Sequence, residues 1–152
     1  MTRKINACVI GLGYVGLPLS IELSKYFKTT GLDISKSRIR NLLNQNDSNN
    51  LIDKNEKKQL KKIFFSNNFN KIKKNNAIFV CLPTPVKKNK KPDLSLIKKA
   101  CVSIGKNLSK RSIIIFESTF YPGVTEEICI PIIEKISKLT WKKDFNVGYS
   151  PE

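Results

Sequence analysis

The sequence predicts an α/β fold, a doubly wound parallel sheet of six strands in a single domain. Three observations predict it. Apolar runs of strand length alternate with helix-period segments along the whole chain. The first run ends in Gly11-Leu12-Gly13-Tyr14-Val15-Gly16, a G-x-G-x-x-G placed between a strand and a helix. A second run, Thr30-Gly31-Leu32, ends in Asp33, at the distance where an acidic residue can meet a ribose 2′-OH. Together these give a Rossmann-like sheet with a dinucleotide at the carboxyl ends of its strands.

Each element follows from local chemistry. Strand one is read over residues 5–10 and helix one over 14–26, where Val15, Leu19, Leu23 and Phe27 recur at helical spacing. Gly11 permits the tight turn, Gly13 lets a pyrophosphate approach the backbone, and Gly16 lets the helix lie close to the sheet. The first turn of that helix offers N–H groups and a positive dipole end to phosphates. Strand two covers 29–33, and Ser35 caps a second helix running to Leu43. The Asn/Lys-rich stretch 44–62 holds a loop and one short helix. Strand three is Ile63-Phe64-Phe65, a short helix anchored by Phe69 and Ile72 follows, and strand four is 77–81.

Leu82-Pro83-Thr84-Pro85 stops strand four, and a basic loop covers 86–91. Pro92 and Asp93 start a long helix with Leu96, Ile97, Ala100, Cys101, Ile104 and Leu108 on one face. Lys98, Lys99 and Lys106 lie off that face and read as solvated. Strand five, 112–116, is almost wholly apolar and reads as buried on both faces. Thr125 caps the next helix, Glu126 and Glu127 favour its first turn, and Pro131 kinks it. Strand six is 145–149.

Composition narrows the function. The chain has 152 residues and 40% apolar content, enough for one domain with a core. Its longest apolar run, 7–19, is too short to span a bilayer, and Pro18 with the glycine spacing argues against a leader peptide. There is no histidine, so histidine bases and histidine-ligated metals are excluded. Cys8, Cys81, Cys101 and Cys129 stand singly in apolar runs, as buried reduced thiols of a cytoplasmic protein do. The formal net charge of +16 raises a nucleic-acid binder as a rival. The basic residues are mostly lysine, scattered among Asn and Ile as A/T-rich coding would place them. Neither a nucleic-acid partner nor a membrane partner is expected.

The loops after strands one, four and five, with Ser150-Pro151-Glu152 after strand six, should gather above the sheet. Their wording carries a resemblance. The glycine loop continues as Leu17-Pro18, Gly31-Leu32-Asp33-Ile34 follows, then Pro83-Thr84-Pro85 and Pro92-Asp93-Leu94-Ser95. Glu117-Ser118-Thr119-Phe120-Tyr121-Pro122-Gly123-Val124-Thr125-Glu126-Glu127 and Gly148-Tyr149-Ser150-Pro151-Glu152 complete the order. The whole resembles the amino-terminal domain of the UDP-glucose/GDP-mannose dehydrogenase family, the nucleotide-sugar 6-dehydrogenases, and is most similar to the UDP-N-acetylhexosamine branch.

The resemblance implies NAD as cofactor and oxidation of a sugar C6 alcohol to a carboxylate in two hydride transfers, through a cysteine thioester that water hydrolyses, for polysaccharide precursor synthesis. It implies that residues Gly11 to Gly16 bind the pyrophosphate. Asp33 would take the adenosine ribose with Arg38 beside it, and Pro83 and Thr84 would pass near the cofactor. Ser118 and Thr119 would approach the nicotinamide, Thr119 holding the hydrolytic water, and Glu152 would assist proton transfer. In the family the nucleophilic cysteine, the dimerising helix and the sugar-nucleotide domain lie beyond the position of Glu152. None of the four cysteines here matches the nucleophile's motif. Residues 1–152 are therefore expected to be the cofactor half, inactive alone, with a homodimer only in the full-length enzyme. The alternative is a non-catalytic or degenerate dinucleotide-binding module.

Overall fold

The computed structural model describes residues 4–47, 49–54, 56–87 and 90–150. Six strands form one parallel sheet: β1 (Asn6–Ile10), β2 (Lys28–Leu32), β3 (Ile63–Ser66), β4 (Ala77–Val80), β5 (Ser112–Phe116) and β6 (Phe145–Tyr149). Their spatial order is β3-β2-β1-β4-β5-β6. The order reverses between β2 and β4, on either side of β1, which is where such sheets open a crevice at their carboxyl ends.

Alternation along each strand sorts side chains onto two faces. One face carries Cys8, Ile10, Ile78, Val80, Ile114 and Phe116, packed under α4 (Ser95–Asn107) and α5 (Ile130–Ser137). The other carries Val9, Ile63 and Phe65 beneath α1 (Gly16–Ser24), α2 (Lys36–Leu43) and α3 (Lys57–Leu60). The second layer stops short of β5. Ile113 is 41% exposed there, so strand five is not buried on both faces as its apolar run suggests. An apolar strand shows what it could bury, not how many layers cover it.

Several boundaries shift for local reasons. Helix α1 starts at Gly16 rather than Tyr14, because residues 13–15 form the turn that brings Gly13 O within 3.1 Å of Leu17 N. Ser35 does cap α2, its Oγ accepting from Arg38 N at 3.2 Å. The short helix before β4 is a 3-10 turn, Phe69–Lys74, capped by Asn68. Helix α4 starts at Ser95, after Asp93 Oδ1 accepts from Ser95 N at 2.9 Å, while Pro92 bridges Val86 across the basic loop. Thr125 is not a cap. It lies buried in a π turn, Thr125–Cys129, whose preceding residue Val124 makes no side-chain cap. Pro131 follows as the first turn of α5, where its missing N–H costs no hydrogen bond. The irregularity next to Pro131 is this wide turn, which ends at Cys129, directly before α5.

Candidate functional site

The glycine loop is built by close approach. Gly11 has φ +91°, and its N–H donates to Leu32 O at 2.8 Å, which ties the turn to β2. A Cβ on Gly11 would lie 2.5 Å from Cys81 O. A Cβ on Gly16 would lie 1.7 Å from Gly11 O, so this glycine lets the helix close on its own loop, with the Cys81 side chain next at 3.2 Å. A Cβ on Gly13 would meet nothing within 4 Å. The middle glycine alone faces open space, as a backbone approached by a phosphate must.

That space is a cleft of about 610 Å³. Residues 11–15, Asp33, Pro83, Thr84, Ser118 and Thr119 all line it, so most of the residues singled out from sequence converge. Gly16 and Arg38 sit beneath it, and Glu152 lies outside the described residues. Sequence reasoning gave no cofactor role to Ile34, Ser35, Leu82, Glu117 and Leu96, which also line the cleft, as does Cys81. The first four directly follow β2, β4 and β5, a position that marks them by the carboxyl-end rule. Leu96 comes from α4, where it reads as ordinary core. A smaller cavity of about 150 Å³ adjoins the cleft and shares Gly11, Asp33, Ile34 and Leu82 with it. Leu96 is shared as well, and Ile10, Phe69, Lys99, Ala100 and Ser103 complete its wall, so Lys99 is exposed yet belongs to the site's edge.

The lining groups hold one another. Asp33 Oδ2 accepts from Leu12 N at 2.9 Å and Oδ1 from Ser35 N at 2.9 Å. Arg38 is buried, its Nε donating to Leu12 O at 3.0 Å and its guanidinium pairing with Asp47 at 2.7 Å. Burial opposes the charge on Asp47, but Arg38 and the N–H groups of Leu51 and Asn49 outweigh it and hold the carboxyl below the ordinary range. Ser118 Oγ accepts from Leu82 N at 3.1 Å and donates to Leu82 O at 2.6 Å. Thr84 Oγ1 donates to Thr119 O at 2.9 Å. Tyr149 stacks on Phe120 with ring centroids 5.8 Å apart, and its Oη accepts from Phe120 N at 3.1 Å. The loops after β1 and β2 are therefore bonded to each other, and those after β4 and β5 to each other and to the end of β6.

All four cysteines are buried. Burial pushes the Cys8 thiol up, and the Cys129 contact followed by burial does the same to Cys101. Among the described residues no three Cys, Asp or Glu side chains converge to hold a metal ion, and no helix is long and apolar enough to cross a membrane.

Comparison with known proteins fits this geometry. Residues 5–152 match the model of the UDP-glucose/GDP-mannose dehydrogenase family, NAD binding domain. The chain is 45% identical over 150 residues to UDP-N-acetyl-D-glucosamine 6-dehydrogenase of Pseudomonas aeruginosa, covering 99% of this chain and 36% of that protein. It is 44% identical over 147 residues to Protein CapL of Staphylococcus aureus, covering 97% and 34%. The solved GDP-mannose dehydrogenase ternary complex from Pseudomonas aeruginosa superposes with TM-score 0.88 at 28% identity, over 97% of this chain and 36% of that one. The chain thus spans about a third of the length of the curated relatives it matches, and over that span it belongs to the UDP-glucose/GDP-mannose dehydrogenase family as an NAD-binding domain.

Proposed function

We propose that this chain supplies the NAD site of a cytoplasmic nucleotide-sugar 6-dehydrogenase acting on a UDP-N-acetylhexosamine. The observation that carries the cofactor half is the pairing of an open Gly13 with a carboxylate fixed beside it. A pyrophosphate laid over Gly13 meets no Cβ, and α1 presents its amino end to the charge. Asp33 spends one lone pair per oxygen on Leu12 N and Ser35 N, and a carboxylate has about four such sites, so two remain for ribose hydroxyls. The smaller cavity beside Asp33, walled by Ile10, Ile34 and Leu82, suits the adenine. Arg38 is already engaged with Leu12 O and Asp47, which leaves no guanidinium fork for a 2′-phosphate. NAD fits, and NADP meets the Asp33 charge instead.

Bound NAD⁺ accepts hydride. Each turnover takes a primary alcohol, two NAD⁺ and one water to a carboxylate, two NADH and three protons. In this chain Thr119, exposed on the cleft wall, is the group we assign to positioning the hydrolytic water, with Ser118 and Thr84 fixing its loop. Glu152 is assigned to proton transfer on its match to the family pattern alone. Cys8, Cys101 and Cys129 are buried away from the cleft, and Cys81, which lines it, is only 9% exposed, so we assign the thioester chemistry to a residue outside these 152. The N-acetylglucosamine branch is favoured by two relatives of that name at 45% and 41% identity, against 30–34% for those named UDP-N-acetyl-D-mannosamine dehydrogenase.

Calorimetric titration of NAD and NADP tests the reading. Tighter binding of NAD, weakened by about 1–3 kcal/mol in Asp33→Ala, is expected from leaving the ribose unpaired. NADP binding more tightly than NAD would overturn it. With UDP-N-acetylglucosamine and NAD, the 152-residue chain alone should yield no NADH.

A further inference from the structure

The positive charge that looks scattered in sequence is ordered in the fold. Lys4 precedes β1, Lys28 opens β2, and Lys61 and Lys62 lead into β3. Lys73 and Lys74 precede β4, Lys110 and Arg111 precede β5, and Lys142 and Lys143 precede β6. All are exposed. Parallel pairing sets these entries side by side, with Asn6 opposite Lys28, Thr29 opposite Ile63, Ala77 opposite Ile113 and Ser112 opposite Phe145. Direct bonds knit the row: Asn6 Nδ2 donates to Lys74 O at 3.3 Å and Asn76 Nδ2 to Lys4 O at 2.9 Å. Six strands spaced by about 4.8 Å make a basic row about 24 Å wide.

Lysines near helix carboxyl ends, such as Lys25 and Lys106, are called for by the helix dipole. Within the row Lys61, Lys73 and Lys74 also stand at helix carboxyl ends, whereas Lys4, Lys28, Lys110, Arg111, Lys142 and Lys143 lie outside the helices, and the strands they lead into have little net dipole to call for them. Asp144 is the carboxylate on the row itself, and it pairs with Lys110 at 3.3 Å. Glu22, Glu56 and Glu134 lie nearby, the first paired with Lys25, the second close enough to act on Lys25 and the third accepting from Trp141 N. The cofactor cleft lies at the opposite end of the same strands.

We propose that this strand-entry pole docks on a membrane surface rich in anionic phospholipid headgroups. Lysine suits that partner: its ammonium is a hydrated point charge, matched to a diffuse layer of phosphates rather than to a fixed fork. Amphipathic and apolar anchors stand in the same row. Tyr26, just before β2, is 73% exposed, and a phenol ring of this kind settles at headgroup depth; Ile5, just before β1, is 43% exposed and adds aliphatic surface. Helix ends rather than helix sides face this pole, so no element here can lie along a nucleic-acid groove. Docked this way, the cleft faces solution.

Co-sedimentation of the chain with phosphatidylcholine vesicles, with and without phosphatidylglycerol, tests the proposal. Binding is expected only with phosphatidylglycerol. Lys61→Gln, Lys62→Gln, Lys73→Gln and Lys74→Gln together should lower partitioning several hundredfold, at about fivefold per lysine. The same charge loss at the other pole, through Lys36→Gln, Lys90→Gln, Lys91→Gln and Lys98→Gln, should lower it less than tenfold. Equal losses overturn the proposal, since net charge alone would then drive binding. The one tryptophan, Trp141, borders the row with Lys142 Nζ 4.4 Å from its ring centroid. Headgroup spin-labelled lipid should quench it in the unsubstituted chain, and no quenching refutes the pole whether or not the variants fold. Release from vesicles by duplex DNA at equal phosphate would also overturn it, in favour of nucleic acid.

Discussion

Two alanine substitutions three residues apart in the glycine loop should behave oppositely, and the backbone geometry says why. In Gly16→Ala the new methyl falls 1.7 Å from Gly11 O, whereas a tolerable C···O contact is about 3.3 Å, so roughly 1.6 Å of movement is required. The carbonyl has little room to retreat. Gly11 is itself wedged against Cys81 O and tied to Leu32 O at 2.8 Å. Overpacking of this kind costs about 1–3 kcal/mol, and backbone rather than a flexible side chain puts it at the upper end. Alanine's better helix propensity returns about 0.5–1 kcal/mol, leaving a net loss of about 2 kcal/mol. Gly13→Ala meets nothing within 4 Å and needs no left-handed backbone, so stability should hold or rise by about 0.4–1 kcal/mol. Its methyl fills the approach to the loop, and NAD affinity should fall at least tenfold, about 1.4 kcal/mol. Urea unfolding without ligand and calorimetric NAD titration separate the two. A Gly16→Ala chain as stable as the parent, or a Gly13→Ala chain that binds NAD normally, would refute the reasoning.

Two further outcomes follow from the frame around the cleft. Asp47→Asn breaks a buried pair whose side chains are 2% and 9% exposed, and should cost about 3 kcal/mol at pH 7. Because the Asp47 pKa is lowered in the fold, its contribution is complete above the unfolded value of about 3.9 and is lost as pH falls through the folded value; the stability gap between parent and variant should close as pH falls below the ordinary carboxylate range, and a gap that stays constant would contradict the assignment. Ser118→Ala leaves Leu82 N–H without its acceptor and should cost about 1–3 kcal/mol in urea unfolding, with weaker NAD binding as the loop loosens; lost affinity at full stability would instead make Ser118 a direct ligand contact.

The six alternating strands and the gathering of loops were legible because both follow from local pattern. A parallel sheet built from alternating elements must place each post-strand loop at one end, so Asp33, Thr84 and Thr119 meet there whatever their neighbours are. What the pattern could not show is where a long side chain turns. Arg38 stands one turn after the Ser35 cap, five residues after Asp33, yet folds under the loop to Asp47, a residue of the Asn-rich stretch that carries no periodicity. The same limit hid the basic row. Each lysine pair looks like an ordinary polar flank until pairing aligns the strand entries, and alignment is a property of the register rather than of any one segment.

The frame also ranks the residues that motif matching treats alike. Asp33 and Ser118 both line the cleft and both already bond to backbone. A carboxylate that accepts two N–H groups still has acceptor sites to offer, and the bonds hold it in place for a diol. A serine has one proton, and Ser118 gives it to Leu82 O at 2.6 Å. For Ser118 to donate to a ligand, that bond must break and Leu82 O must lose its partner in a buried spot. Asp33 can therefore recognise cofactor without disturbing the fold, while Ser118 acts best by keeping the loops after β4 and β5 together. Thr119 differs again: its carbonyl accepts from Thr84, which fixes the backbone. In this site the residues that hold the loops and the residues that meet the ligand are separated by how many lone pairs and protons each has left.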